Sequence, residues 1–299
     1  VRSLITGGQG FVGHWLADHL RDLGDEVIAI DREVEITDPT ALLKAMSAAG
    51  PDAVYHLAAL THVGQSWDDP LQVLEVNIMG TAAVLAAARQ CGSDPRILVT
   101  SSAEVYGSVT DPGQLPLHEG SPTAPLTPYA ASKLAAEAVV AQAYLGHGQH
   151  VITVRPFNHI GPGQTPNFAV PALARRIVDA DRRGSATIPV GNLSARRDFT
   201  DVRDVVRAYR LLVESGQPGE IYNVCSGRDV SIRDIADGLL ELAGTTLEFE
   251  VDPTLVRPVE VPVLRGDPTR LVEATGWTPE VPLDRTLADV LAYWRQQPA

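Results

Sequence analysis

Along the first half of the chain, short β-branched and aliphatic runs alternate with longer stretches whose apolar positions recur every three to four residues. The runs Arg2–Thr6, Glu26–Ile30, Ala53–Leu57, Ile97–Thr100 and Val151–Arg155 predict strands. Between them, Phe11–Leu23, Pro39–Ala49, Pro70–Gln90 and Tyr129–Tyr144 are rich in Ala and Leu and long enough for crossover helices. This alternation predicts βαβ units and a doubly wound parallel α/β sheet.

After Arg155 the pattern breaks. Pro156, Gly161, Pro162, Gly163, Pro166 and Pro171 punctuate a short stretch and mark a transition between domains. The remainder mixes short strands and helices with Pro-rich connectors such as Val251–Gly266, which predicts a smaller α+β lobe. No internal repeat, heptad array or low-complexity tract interrupts it.

Composition narrows the classes of function. The 299 residues are 44% hydrophobic and 20% charged, the balance of a globular chain able to bury a core. With 24 Lys and Arg against 37 Asp and Glu, the net charge is −13, which repels phosphate backbones and anionic lipid. Nucleic acid and membrane are therefore not expected as partners. No apolar run reads as a bilayer span, and the chain opens on a strand rather than a basic leader, so a cytoplasmic location is expected. Cys91 and Cys225 lie far apart with no metal-ligand spacing, so neither a disulfide framework nor a metal site is expected.

Candidate chemistry begins at the first strand. Gly7, Gly10 and Gly13, with Phe11 and Val12 between the last two, carry the chain from strand into helix. Gly7 permits a tight turn, Gly10 clears the helix N-terminus for a pyrophosphate, and Gly13 lets helix and strand pack closely. The second strand ends at Asp31, placed to accept hydrogen bonds from the adenosine ribose, which favours NAD(H). The neighbouring Arg32 offers a guanidinium to a 2′-phosphate and keeps NADP(H) open. Leu57, Ala58 and Ala59 end the third strand on small side chains over which a cofactor can lie. His56 before them is assigned no chemistry.

Ser102 and Glu104 follow the fourth strand, and Tyr129 and Lys133 stand four apart, on one face of the next helix. An ammonium close to the phenol, helped by a cationic nicotinamide, is expected to lower the tyrosine pKa from its usual value near 10. Tyr129 then exchanges a proton with a carbonyl or hydroxyl, and Ser102 orients that oxygen. Asn158, just beyond the fifth strand, carries an amide able to hydrogen-bond a sugar or diphosphate.

Gly7-x-x-Gly10-x-x-Gly13, Asp31, Ser102 and Tyr129-x-x-x-Lys133 together resemble an extended short-chain dehydrogenase/reductase acting on nucleotide sugars, over essentially the whole chain. Arg155-Pro156-Phe157-Asn158-His159-Ile160-Gly161-Pro162-Gly163-Gln164, Arg197-Asp198-Phe199 and Tyr222-Asn223-Val224-Cys225-Ser226-Gly227 are similar to its GDP-mannose branch, which holds 4-keto-6-deoxymannose reductases and 4,6-dehydratases. So are Arg257-Pro258-Val259-Glu260 and Gly276-Trp277-x-Pro279.

The resemblance implies a Rossmann-type dinucleotide-binding domain over residues 1–157 plus about 199–225. A nucleotide-sugar lobe would take about 158–198 plus 226–299. It also implies a diphosphate clamp at Arg197 and Arg257, a nucleoside contact at Glu260, and a homodimer through Ala82–Gln90 and Ala135–Ala143. A buried intramolecular helix would read the same way. A 4,6-dehydratase needs an acid and a base after Ser102, and Ala103 beside Glu104 leaves one of them missing. The expected reaction is therefore NAD(P)H-dependent reduction of GDP-4-keto-6-deoxy-D-mannose to GDP-D-rhamnose. A dehydratase, a 4-epimerase and a dinucleotide-sensing regulator are the alternatives.

Overall fold

The computed structural model describes residues 1–109, 111–255 and 261–298. The dinucleotide half runs β1 (Arg2–Thr6), α1 (Phe11–Asp22), β2 (Glu26–Ile30), α2 (Pro39–Ala49), β3 (Ala53–His56), α3 (Pro70–Leu74), α4 (Gly80–Gln90), β4 (Arg96–Thr100), α5 (Pro128–His147) and β5 (Val151–Pro156). Then follow β6 (Asn158–Ile160), α6 (Ala169–Arg183), β7 (Thr187–Val190), β8 (Arg196–Asp201), α7 (Val202–Ser215), β9 (Ile221–Val224) and β10 (Asp229–Ser231). The chain ends with α8 (Ile232–Ala243), β11 (Glu248–Val251), β12 (Val263–Leu264), α9 (Thr269–Thr275) and α10 (Leu283–Gln296).

Six strands form a parallel sheet in the order β2-β1-β3-β4-β5-β9. The chain leaves β1 to one side for β2 and returns on the other for β3, so a crevice opens past the carboxyl ends of β1 and β3. One face of the sheet buries Leu16, Leu20, Val205, Tyr209 and Trp277 from α1, α7 and the segment after α9. The other buries Leu42, Met46, Val84 and Val140 from α2, α4 and α5. Burying both faces explains why these strands read as continuous apolar runs rather than as alternating ones.

A second sheet, β10-β8-β12, with β6 also pairing to β8, has its own core on α6, α8 and α10. The fold is thus an α/β Rossmann-type sheet with a smaller α+β lobe. β6 leads into the lobe from β5, and α7 and β9 lead back to the main sheet, next to β5.

Pro70–Gln90, expected as a crossover helix, is helical throughout and carries a π-helical turn at Glu75–Met79. Pro70–Gln90 is also long and apolar enough to cross a membrane by length and composition, against the expectation from sequence. Half of it packs inside the protein, where Asn77 and Thr81 find buried partners.

Candidate functional site

The glycine turn fits a dinucleotide by what it leaves out. Gly7 has φ +74, and a Cβ there would stand 2.8 Å from the Ala58 amide nitrogen. A Cβ on Gly13 would lie 2.3 Å from the Gly7 carbonyl oxygen. Backbone thus packs on backbone between β1, β3 and α1. Gly10 caps α1 without a side-chain hydrogen bond, so the first N–H groups of the helix, at Phe11 and Val12, have no cap competing for them. Such an end attracts phosphate oxygens. Asp31 closes the other side: one carboxylate oxygen accepts from Gln9 N at 2.9 Å and the other from Arg32 N at 3.0 Å. Arg32 is exposed beside it.

Leu57, Ala58 and Ala59 are half-buried past the end of β3. His56 is buried, with Nδ1 2.8 Å from Thr6 Oγ1 and Nε2 3.0 Å from Thr81 Oγ1. Thr81 donates its own proton to Asn77 O, so it accepts from Nε2–H, which fixes a neutral tautomer. Burial pushes the imidazole down to about 3. His56 ties β1, β3 and α4 together.

Thr127 caps α5, accepting from Ala130 N at 3.1 Å, and Pro128 takes the first helical position. Tyr129 and Lys133 follow on successive turns, facing the end of β4. Tyr129 and Ser102 are 8% exposed and Lys133 5%. Lys133 Nζ donates to Thr100 O at 2.7 Å, and Ser102 stands close enough to the Tyr129 phenol to act on its pKa. Ser102 Oγ also accepts from Glu104 N at 3.2 Å.

Without the cationic nicotinamide that the expectation from sequence includes, the phenol stands above its usual value. Burial pushes Tyr129 up to about 12; Ser102 opposes that and Glu104 adds to it. Lys133, turned to the Thr100 carbonyl, does not offset the loss of solvent, and burial draws the ammonium itself down to about 8. In the protein alone the phenol is therefore a firmly held proton, suited to donation. Ala103, next to Glu104, is buried among Val105, Tyr106, Phe157 and Leu264.

Asn158 opens β6 opposite Phe199 of β8, and His159 stacks on Phe11 at 6.2 Å between ring centroids. Arg197 on β8 is half-buried, and its Nη1 donates to Arg196 O and to Val261 O at 2.8 and 2.7 Å. Arg257 and Glu260 lie outside the described residues. Of the expected dimer segments, most of Ala82–Gln90 is buried within its own chain because α4 packs on α2 and α5.

Sequence reasoning passed over Ser101 and Glu137. Ser101 Oγ donates to Glu137 at 2.5 Å, and Arg155 holds both oxygens of the same carboxylate. The available signal was the spacing of Lys133 and Glu137, one helical turn apart.

Comparison with known proteins places this geometry in context. The family described as GDP-mannose 4,6 dehydratase matches residues 32–290. The GDP-6-deoxy-D-mannose reductase of Pseudomonas aeruginosa is 37% identical, over 99% of this chain and 98% of that protein. Among solved structures, that of RMD from Pseudomonas aeruginosa complexed with NADPH superposes with a TM-score of 0.91 at 36% identity, covering 99% of both chains. The UDP-glucose 4-epimerase of Thermus thermophilus in complex with NAD superposes at 0.88 with 28% identity, again over 99% of both.

Proposed function

Because the chain belongs to the GDP-mannose 4,6-dehydratase family, we propose that it is a nucleotide-sugar oxidoreductase that reduces the 4-keto group of GDP-4-keto-6-deoxy-D-mannose to give GDP-D-rhamnose. The observation that carries the reading is the meeting of Ser102, Tyr129 and Lys133 at one strand end, with Ala103 where a dehydratase needs an acid. Similarity to a GDP-6-deoxy-D-mannose reductase supports it.

Gly7, Gly10 and Gly13 would hold the pyrophosphate of NAD(P)H, and the bound dinucleotide would supply the hydride that reaches the sugar C4. Tyr129 gives its phenolic proton to the oxygen that becomes the C4 hydroxyl, and Ser102 hydrogen-bonds that oxygen as its charge grows. Lys133 holds the nicotinamide ribose and favours the phenolate left behind. Gly7, Gly10, Phe11, Val12, Gly13 and the turn Leu57–Ala59 seat the dinucleotide. Asp31 favours NADH; Arg32 and the NADPH bound to RMD support NADPH. Asn158, Arg197, Arg257 and Glu260 bind the GDP-sugar in a lobe formed by about 158–198 and 226–299.

Glu104 supports a second reading, a 4,6-dehydratase, since its charge reaches Tyr129. The two differ in cofactor stoichiometry. A reductase consumes one NAD(P)H for each 4-keto sugar converted, whereas a dehydratase turns over GDP-mannose with its cofactor unchanged. Accumulation of 4-keto sugar from GDP-mannose alone, with no NAD(P)H oxidation on the 4-keto substrate, overturns the reductase.

The homodimer implied by resemblance is proposed on the surface left open. Leu71 and Met79, 76% and 58% exposed, lie on Pro70–Gln90, and Leu145 is 80% exposed on α5. Light scattering tests it: the unsubstituted chain should be a dimer and Leu71→Lys a monomer.

A further inference from the structure

Helix α5 meets the end of β4 through three polar contacts, one on each successive helical turn. Tyr129 meets Ser102, Lys133 meets the Thr100 carbonyl, and Glu137 meets Ser101. The first two belong to the reaction proposed above and the third does not. Glu137 is 8% exposed and Arg155 4%. The guanidinium donates to both carboxylate oxygens, at 2.8 Å from Nε and 2.7 Å from Nη2. A buried ion pair is a poor device for stability alone, because an apolar pair of similar volume often does as well. Its position calls for a different account.

Lys133 faces His56 from β3, held neutral by burial, the Thr100 carbonyl from β4, and Glu137 on its own helix. Burial discourages the ammonium, and Glu137 is the anion that opposes this. A lone carboxylate one turn away would draw Nζ into a direct pair. Arg155 occupies both oxygens, so Glu137 acts on Lys133 through its field while Nζ remains on Thr100.

We propose that Glu137 is a positioning residue for this reduction: it supplies the negative charge that Lys133 faces and, through Ser101, fixes the strand end that presents Ser102 to Tyr129. The inference rests on the reading of Tyr129 and Lys133 as the proton-handling pair.

The test follows NADPH affinity by nucleotide fluorescence, together with kcat/KM, from about pH 6 to about pH 10. Glu137→Gln removes the anion and leaves Arg155 unpaired, so the alkaline limb of both profiles should move down by about one pH unit, with a lower Tm. Glu137→Asp should restore most of the limb. The double variant E137Q/R155M removes the stranded cation; its Tm should recover while the limb stays displaced. A folded double variant whose profiles superpose on those of the unsubstituted protein overturns the proposal, since only packing would then have been at stake. Lys133→Met separates the two layers. If the limb survives without Lys133, the proton-handling assignment falls and takes this inference with it. If the limb disappears with Lys133 yet ignores Glu137, this inference alone falls.

Discussion

The dinucleotide half and the lobe around β8 are held by different kinds of contact. In the first, the cradle is backbone packed on backbone: Gly7, Gly10 and Gly13 shape one turn, Gly7 lies against Ala58 just past β3, and Asp31 bonds back to Gln9 inside that turn. In the second, buried carboxylates join distant segments. Asp198 accepts from Ser226 N and Oγ at 2.8 and 2.6 Å, from Gly227 N at 2.9 Å and from Gly266 N at 3.3 Å. Asp201, at the end of β8, accepts from Thr286 Oγ1 at 2.6 Å, and Asp204, at the start of α7 where the chain returns to the main sheet, accepts from Glu280 N and Val281 N, both at 2.9 Å. The glycine cradle thus depends on close backbone packing, whereas the segment around β8 that carries Arg197 depends on side-chain acceptors whose loss is felt far from the substitution.

The largest effect should come from separating chemistry from binding in the first half. Tyr129→Phe removes the proton that burial holds on the phenol and leaves the ring in place. Turnover should fall by about a thousandfold, the range for a positioned general acid, while NADPH affinity changes by less than about twofold. Comparable loss of affinity and turnover would mean that the phenol serves binding. Gly13→Val comes next and attacks the cradle itself. Its Cβ has 2.3 Å to the Gly7 carbonyl, so the turn must open, and both NADPH binding and Tm should drop, by about 3 kcal/mol in stability.

Asp198→Asn should do the reverse and disturb the lobe while sparing the cradle. The new amide points N–H groups at the Gly227 and Gly266 amides, a mismatch that costs about 2 kcal/mol. KM for the GDP-sugar should rise several-fold, with NADPH affinity unchanged. There is a pH signature as well. Burial raises the Asp198 carboxyl from 3.8 to about 6, so between those values the folded chain binds more protons than the unfolded one. Stability therefore falls as pH rises through that window. In Asp198→Asn this contribution disappears, and urea melts across about pH 4 to about pH 6 would show a smaller loss than the unsubstituted chain.

The same contrast decides what could be read from sequence. Arg2–Thr6, Glu26–Ile30 and Pro39–Ala49 stand in the fold with the residues their patterns predict, because a buried central strand, an aliphatic edge strand and a capped Ala-rich helix are specified locally. In the lobe, β6, β10 and β12 are two or three residues long, too short for any periodicity, and each pairs with β8 across tens of residues. Ser102, Tyr129 and Lys133 could be gathered by motif. Glu137 joins them only once β5 is known to lie beside β4, which brings Arg155 onto the same carboxylate. The sign of the Tyr129 shift was also beyond sequence, since it depends on how far burial outweighs a lysine that turns to Thr100.

The smallest effects concern the coenzyme, and they sharpen the picture of the first half as a site built on backbone contacts. On the proposed function, the Asp31 carboxylate would oppose a 2′-phosphate and the exposed Arg32 would offer it a guanidinium. Asp31→Ala should shift the ratio of kcat/KM for NADPH over NADH upward by about tenfold, most of it from weaker NADH binding and relief of charge repulsion. Arg32→Ala should shift the ratio the other way by only about threefold. That effect should fade as salt rises, because an exposed charge is screened within about 8 Å at physiological ionic strength. Both ratios come from paired initial-rate measurements at low and high salt. An Arg32 effect larger than the Asp31 effect, and indifferent to salt, would mean that the guanidinium is buried against the nucleotide and that the turn closes on its cofactor more than the backbone contacts of Gly7 and Gly13 require.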